Sequence, residues 1–381
     1  LPNQKGRALA YPAHPPSILF EAGVTTVTVP TPTGPASFRL DGDYTGNHVP
    51  PPPDLHALNP KDAPPCFAAG TRILTETGEI PVEHLHIGDR VVLADGGAAP
   101  VVFIGHRRLD LARHKRPNLA RPIKIPAGAL GEDIPSRDLL LSPDHALYLN
   151  GMLVPARDLV DGLTIRQDRS IPWIHYFHVE LPRHAILFAE GAAAESFLDI
   201  GQRGLFDNAG NPPIPAADLM TRRRKNFSRL PIAGPGAELT ALRSRLHARA
   251  LMRGHKIVEQ KLTCLKIGNH LLAPDPTNPD LITFHLPPQT THATLLSPVF
   301  TPAETDPTSA DRRILGLAIA DTLIDGQLVR PHHLFNKLDL HPSDPREPAA
   351  WTRGPARLTL PPTATTLALR IATWPRHWQT T

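Results

Sequence analysis

From Cys66 to about Asp199 the chain is a succession of short strand-like runs, each closed by a turn signal. This pattern constrains the fold more than any other feature. Arg72–Thr75 is a predicted strand with Glu76-Thr77-Gly78 as its turn. Arg90–Ala94 and Val101–Ile104 flank Asp95-Gly96-Gly97, a hairpin signal. Asp138–Leu141 and Ala146–Leu149 follow. Asn150-Gly151 then separates Leu147–Leu149 from Met152–Val154, the strongest hairpin signal in the chain. Trp173–Leu181 and Ala185–Ala189 complete the set. Many short strands at near-regular spacing predict a compact all-β domain. The 45 Pro and 26 Gly agree with this, since Pro is excluded from helix interiors.

Either side of this block the texture differs. Residues 1–65 are loop-rich, with strand-like pieces at Val24–Val29 and Ala36–Leu40 and the turn Asp41-Gly42-Asp43. Pro50-Pro51-Pro52-Pro53 and Pro64-Pro65 favour extended, semi-rigid polyproline conformations. Residues 1–65 therefore read as the end of a passenger plus a linker. The compact domain spans 66–205. Residues 206–259 read as a linker, with a break at Asn211–Pro215, a basic run at Arg222–Lys225 and one amphipathic helix over Glu238–Met252. Residues 260–381 return to strands at Leu262–Ile267, Leu281–Leu286, Ala293–Leu296, Arg313–Ala320, Arg357–Leu360 and Leu367–Ala372. They predict a second, sandwich-like β domain.

The 381 residues allow two or three domains. A balance of 40 basic and 36 acidic residues does not call for a nucleic-acid partner. No apolar run is long enough for a membrane span. Leu1 is followed by no positive-then-apolar leader, so the sequence reads as leader-processed or as a fragment. Two cysteines, Cys66 and Cys264, exclude a disulfide scaffold. His84/His86, His175/His178 and His332-His333 lack a Cys or carboxylate partner at a zinc spacing, so no metal site and no cofactor are expected.

Cys66 stands at the first position of the predicted domain, after prolines. A thiol there can reach the carbonyl of the preceding peptide bond and convert amide to thioester, an N-to-S acyl shift. The reaction is intramolecular, so effective molarity lowers the barrier by several kcal/mol. An inert amide also needs polarisation and a proton for its leaving nitrogen. Ser142-Pro143-Asp144-His145, between two predicted strands, supplies a hydroxyl and an imidazole three residues apart.

Cys66-Phe67-Ala68-Ala69-Gly70-Thr71-Arg72-Ile73 resembles the opening block of the Hint family, the hedgehog-autoprocessing and intein fold. Ser142-Pro143-Asp144-His145 resembles that family's Thr-x-x-His block, with Ser for Thr. The stretch from Val179 to Gly191, with His184 in its middle, resembles the late block. The resemblance covers about a third of the chain. It is similar in detail to bacterial Hint modules at the ends of secreted or surface proteins, which implies a secreted or cell-surface location. It implies autocatalytic cleavage of Pro65–Cys66, with the chain's own N-terminal segment as substrate and water or an external nucleophile resolving the thioester. Cys66 would be the nucleophile and His145 would protonate or polarise the amide. Ser142 and Thr71 would contact the carbonyl, and His184 would serve the resolving step.

The sequence departs from splicing inteins, which end in His-Asn before a nucleophile. Here Ala192-Ala193-Ala194-Glu195-Ser196 occupies that stretch, so no Asn can cyclise. Each candidate also has a plain reading. A lone Cys is commonly a small buried hydrophobe. His145 and His184 could be structural, Ser142 a turn starter and Thr71 a backbone satisfier. Asp144 could orient His145 or shape the turn, Asp89 reads as a turn residue, Cys264 as core and the basic run as a solvated face. The rival reading is an inactive Hint fold kept for structure or display, with the C-terminal β domain binding a glycan or protein partner. A trans-acting cysteine protease fits poorly, because the residues after Cys66 read as a strand.

Overall fold

The structure is a computed structural model. It describes residues 15–46 except 22 and 32, residues 64–210, and residues 217–379 except 229, 235, 276–277, 279–280 and 343–348. The polyproline run at 50–53 and the break at 211–215 lie outside the described residues.

The N-terminal segment forms an antiparallel meander, β1 (Ser17–Glu21), β2 (Val24–Thr31) and β3 (Gly34–Asp41). The central block contains β4 (Phe67–Ala68), β5 (Arg72–Thr75), β6 (Gly78–Pro81), β7 (Arg90–Val92), β8 (Ala98–Pro100), β9 (Phe103–Asp110), β10 (Ile123–Ile125) and β11 (Leu139–Leu141). It continues with β12 (Ala146–Leu149), β13 (Met152–Pro155), β14 (Arg166–Gln167), β15 (Trp173–Glu180), β16 (Ile186–Ala189) and β17 (Ala192–Glu195). One sheet has the order β14-β10-β11-β4-β15-β9 and the other β13-β12-β17-β16-β5-β7-β8, with β6 beside β5. Their shared core holds Phe67, Ile73, Leu141, Leu147, Val179 and Leu187 among its buried side chains.

Turn chemistry sets the local geometry. Asn150 and Gly151 both have positive φ, 51° and 84°, as a two-residue I′ hairpin requires. The Asp95-Gly96-Gly97 hairpin also forms, but its second strand is Ala98–Pro100, paired with Arg90–Val92. The residues after Val102 run instead as β9 along β15 in the other sheet. On β9, Gly105 meets the face of Phe206, where a Cβ would lie 2.6 Å from the ring.

The stretch read as a linker is part of this unit up to Lys256. It contains α1 (Ala217–Phe227), which the sequence reading did not foresee, and α2 (Ala237–Met252). Leu239, Leu242 and Leu246, spaced three and four apart, pack into the block's core. Burying three such side chains contributes roughly 5–9 kcal/mol before entropy costs. Arg249 donates to the carbonyls of Ala129 and Gly128, both at 3.0 Å. Pro231 and Ala233 hydrogen-bond to Leu153 and cover the edge of β13. The compact unit accordingly runs over Pro53–Lys256 with Ala303–Ala310.

The second unit comprises Leu1–Pro52, Ile257–Pro302 and Asp311–Gln379. Its later strands are β18 (Lys256–Glu259), β19 (Cys264–Ile267), β20 (His270–Leu272), β21 (Leu281–His285), β22 (His292–Leu296), β23 (Ala318–Ile324), β24 (Gln327–Val329), β25 (Ala350–Trp351), β26 (Ala356–Thr359), β27 (Thr366–Thr373) and β28 (Arg376–Gln379). The sheet β20-β19-β22-β26 and the sheet β21-β27-β23-β24, with β25 beside β23, share one core, as a sandwich does. Short helical turns at Pro331–Leu334 and Lys337–Asp339 lie between the later strands.

The N-terminal meander belongs to this second unit, which corrects the reading of residues 1–65 as a separate segment. Val27 and Val29 of β2 and Phe38 and Leu40 of β3 point to one face, and Tyr44 follows them. They bury against Cys264 and Leu296, with Leu262, Leu271 and Val299 around them. The four apolar strand residues contribute roughly 6–12 kcal/mol of gross burial. Sequence distance hid this partnership: the two faces are more than 200 positions apart along the chain.

Candidate active site

The junction is fixed by strand register. β4 lies between β11 and β15, with Phe67 opposite both Leu141 and Phe177. Both pairings are antiparallel, so the residue before Phe67 faces the residue after each partner. Cys66 therefore sits between Ser142 on one side and His178 on the other. The Ser142 amide donates to the Cys66 carbonyl at 2.9 Å.

The Ser142 hydroxyl grips the chain on both sides of Pro65. It accepts the Cys66 N–H at 2.8 Å and donates to the Pro64 carbonyl at 2.8 Å. Ser142 is fully buried. The sequence reading placed this hydroxyl on the Pro65 carbonyl. Its partners are instead the nitrogen of the Pro65–Cys66 bond and the carbonyl one residue earlier.

The Cys66 thiol is also fully buried, in a cluster with Leu109, Leu111, Ile174, Tyr176, Phe197 and Phe206. Burial pushes its pKa well above the ordinary thiol value, outweighing the opposing charge of Arg107. Tyr176, in the same cluster, donates its hydroxyl to the Ala120 carbonyl at 2.8 Å.

The turn after Ser142 brings His145 back to the junction, with the His145 amide donating to the Ser142 carbonyl at 3.1 Å. The imidazole is fully buried and lies 4.2 Å from the Phe67 ring and 4.9 Å from the His178 ring, between centroids. Among the described residues neither ring nitrogen meets a partner in good hydrogen-bond geometry, although the Glu195 and Cys66 backbone lies near enough to act on the ring. Burial lowers its pKa to about 4 against the opposing pull of Glu195 and the backbone of Glu195 and Cys66. His145 is therefore neutral at pH 7, with a nitrogen open to accept a proton. His178 is shifted in the same direction, well below the ordinary value, by burial and by His145.

Behind these rings lies a buried carboxylate, Glu195 at the end of β17. Its Oε1 accepts from the Ala146 amide at 2.8 Å and from Arg224 Nη2 at 2.6 Å. Its Oε2 lies 3.5 Å from His184 Nε2. Burial pushes this carboxyl up, but Arg224 and His184 outweigh it and hold it well below the usual carboxylate range. The next residue, Ser196, accepts the Ala185 amide on Oγ at 2.9 Å.

Of the sequence candidates, Cys66, Ser142 and His145 meet at the junction. His184 lies on Glu195. Thr71 is buried, and its carbonyl accepts from the Val82 amide at 2.7 Å; among the described residues its hydroxyl makes no hydrogen bond to the junction. Asp144 pairs with Arg157. Asp89 accepts the His86 amide in a turn. Cys264 is core, its thiol pushed up to about 12 by burial. Among the described residues no His, Cys, Asp and Glu side chains group as a metal site would require.

Sequence reasoning weighed His178 only as a zinc ligand and Arg224 only as part of a basic run, and missed the place of both at the site. His178 stands in phase with buried Ile174 and Tyr176 on β15, and a polar residue in the buried phase of a strand was the available signal. Arg224 sits in the basic run taken as a solvated face, yet its side chain is only 18% exposed and closes the ion pair with Glu195.

One comparison with known proteins falls on the same block. The sequence profile of the Hint domain family matches residues 65–201. No curated protein matches the chain. Similar solved structures include the gp41-1 intein (13% identity, 35% of this chain, 98% of that one, TM-score 0.26) and a DnaB intein from Synechocystis sp. PCC 6803 (10%, 35%, 99%, TM-score 0.25). A bacterial intein-like domain from Clostridium thermocellum is a third (16%, 35%, 98%, TM-score 0.26). The β block that opens on the Pro65–Cys66 junction is a Hint domain, spanning residues 65–201.

Proposed function

We propose that this Hint domain cleaves its own Pro65–Cys66 bond through a thioester. The observation that carries the reading is the Ser142 hydroxyl, 2.8 Å from the Cys66 nitrogen and 2.8 Å from the Pro64 oxygen, with a neutral, buried His145 beside the junction. Ser142 holds the amide in one orientation. His145 takes the thiol proton as Cys66 Sγ attacks the Pro65 carbonyl carbon. The C–N bond breaks, and the imidazolium returns the proton to the leaving Cys66 nitrogen. The product is a Pro65 thioester on Cys66 with a free α-amine. Water then adds to the carbonyl, the C–S bond breaks, and a Pro65 carboxylate and the Cys66 thiol result.

The test is the mass of the purified chain under denaturing conditions, with and without dithiothreitol or hydroxylamine. The expected result is fragments 1–65 and 66–381, formed faster with the nucleophile present, and an intact chain for Cys66→Ala. Equal rates with and without thiol sink the thioester.

One observation favours the second reading, an inactive module retained for structure or partner binding. The thiol is fully enclosed and held protonated. A single intact species under all of these treatments would establish that alternative.

A further inference from the structure

Cleavage at Pro65–Cys66 cuts a connection whose two sides are built into the molecule in different ways. Downstream, Phe67 is the central strand of a Hint sheet. Upstream, residues 17–46 are not a free passenger. They form the meander whose inner face, Val27, Val29, Phe38 and Leu40, is 0–3% exposed against Cys264 and Leu296. These contacts cross from the N-terminal strands to a segment that follows the Hint domain in sequence. They are therefore unaffected by a break at residue 65.

Polar contacts run along the same boundary. Gln260 Nε2 donates to the Ser37 carbonyl at 3.2 Å. The Lys266 ammonium donates to the Gly46 carbonyl, and its charge also acts on Asp43. Thr25 is fully buried within the meander, accepting the Tyr44 amide at 3.0 Å and donating to the Gly42 carbonyl at 2.6 Å. Its hydrogen bonds are satisfied inside the segment and do not depend on the chain beyond residue 46.

We infer that processing yields a nicked two-chain protein and not a released N-terminal product: residues 1–65 stay docked, through the meander, on the β unit that contains Cys264 and Leu296. This rests on the cleavage proposed above for its occurrence, but the docking itself does not. The partner of the N-terminal product is the C-terminal β unit of the same chain, and the recognising surface is the apolar face formed by Leu262, Cys264, Leu271, Leu296 and Val299. A retained product also changes what self-processing accomplishes. It severs one covalent link and creates a Pro65 carboxylate and a Cys66 α-amine, while the second unit keeps all of its strands.

Two arms test this separately. In the first, the full chain is left to process, and each time point is read by denaturing mass spectrometry and by native size-exclusion chromatography with light scattering. In the second, a site-specific protease sequence is placed between residues 50 and 60 of the Cys66→Ala chain, the chain is cut there, and the same native measurement is made. This arm decides the inference even if the Hint domain never cleaves. The expected result in both is a single native species with the mass of the whole chain that separates into two only in denaturant. Val27→Asp, placed at the fully buried centre of the interface, should release the N-terminal fragment from the nicked chain. Separation of the wild-type fragment in native buffer overturns the inference, and so does full co-elution of the Val27→Asp fragment.

Discussion

Glu195 holds Arg224 at 2.6 Å inside the Hint block, although Arg224 lies beyond residue 201, where the family match ends. The carboxylate is almost wholly enclosed, so its charge depends on a cation delivered by a helix that the family profile does not include.

Removing that cation leaves a buried carboxylate with the Ala146 amide and His184 as its remaining partners. Arg224→Ala should destabilise the block by about 3–5 kcal/mol, the range for breaking one side of a buried pair. Urea unfolding followed by far-ultraviolet circular dichroism measures this. A loss below about 1 kcal/mol would mean the pair is as weak as a surface one.

At the junction, His145→Ala should slow thioester formation about 100-fold or more, within the range for a positioned proton-transfer group. Ser142→Ala should slow it by roughly 10- to 100-fold through misplacement of the amide. His178→Ala should also slow it, since register places this side chain across from Cys66. Cys264→Ala should leave the rate unchanged. Single-turnover kinetics by mass spectrometry distinguish these four. Wild-type rates for His145→Ala in folded protein would remove the imidazole from the chemistry.

Stability should fall in mild acid. The folded pKa of His145 is about 4, below the ordinary 6.5, so the unfolded chain takes up the proton first as pH drops. The contribution is complete above about pH 6.5 and is lost progressively toward pH 4, on the order of 3 kcal/mol in all. His178 shifts in the same direction and adds to the loss. Urea midpoints at pH 7.5, 6 and 5 check this, and His145→Gln should flatten the dependence. Parallel curves for wild type and variant would contradict it.

Splicing should not occur. Glu195 is the last residue of a paired strand and spends its carboxylate on Arg224, the Ala146 amide and His184. Ser196 is tied to Ala185 through both its hydroxyl and its amide. Residues 66–381 should stay joined under every condition that cleaves Pro65–Cys66. A fragment beginning within residues 197–210, formed only when Cys66 is present, would reverse this.

What the sequence made legible was local. Asn150-Gly151 names its own turn type, and the three-residue spacing of Ser142 and His145 survives as a turn that returns to Cys66. Register and long-range partnership were not legible. Nothing near His178 says which residue it faces, because that depends on how β4 slots between β11 and β15. Arg224 looks like its exposed neighbours Arg222 and Lys225 until helix phase turns it inward. The meander's alternating Val27/Val29 and Phe38/Leu40 announce a buried face but not the distant segment that covers it.

The enclosure of Cys66 bears on how the chain meets oxidants. Peroxide and disulfide exchange both act on accessible thiolates, and this sulfur is neither accessible nor ionised. Cys264 is shielded in the same way. In the folded chain neither sulfur is therefore a ready target, whatever the redox poise outside. The reactive atom is preserved in its reduced form until the cluster around it opens.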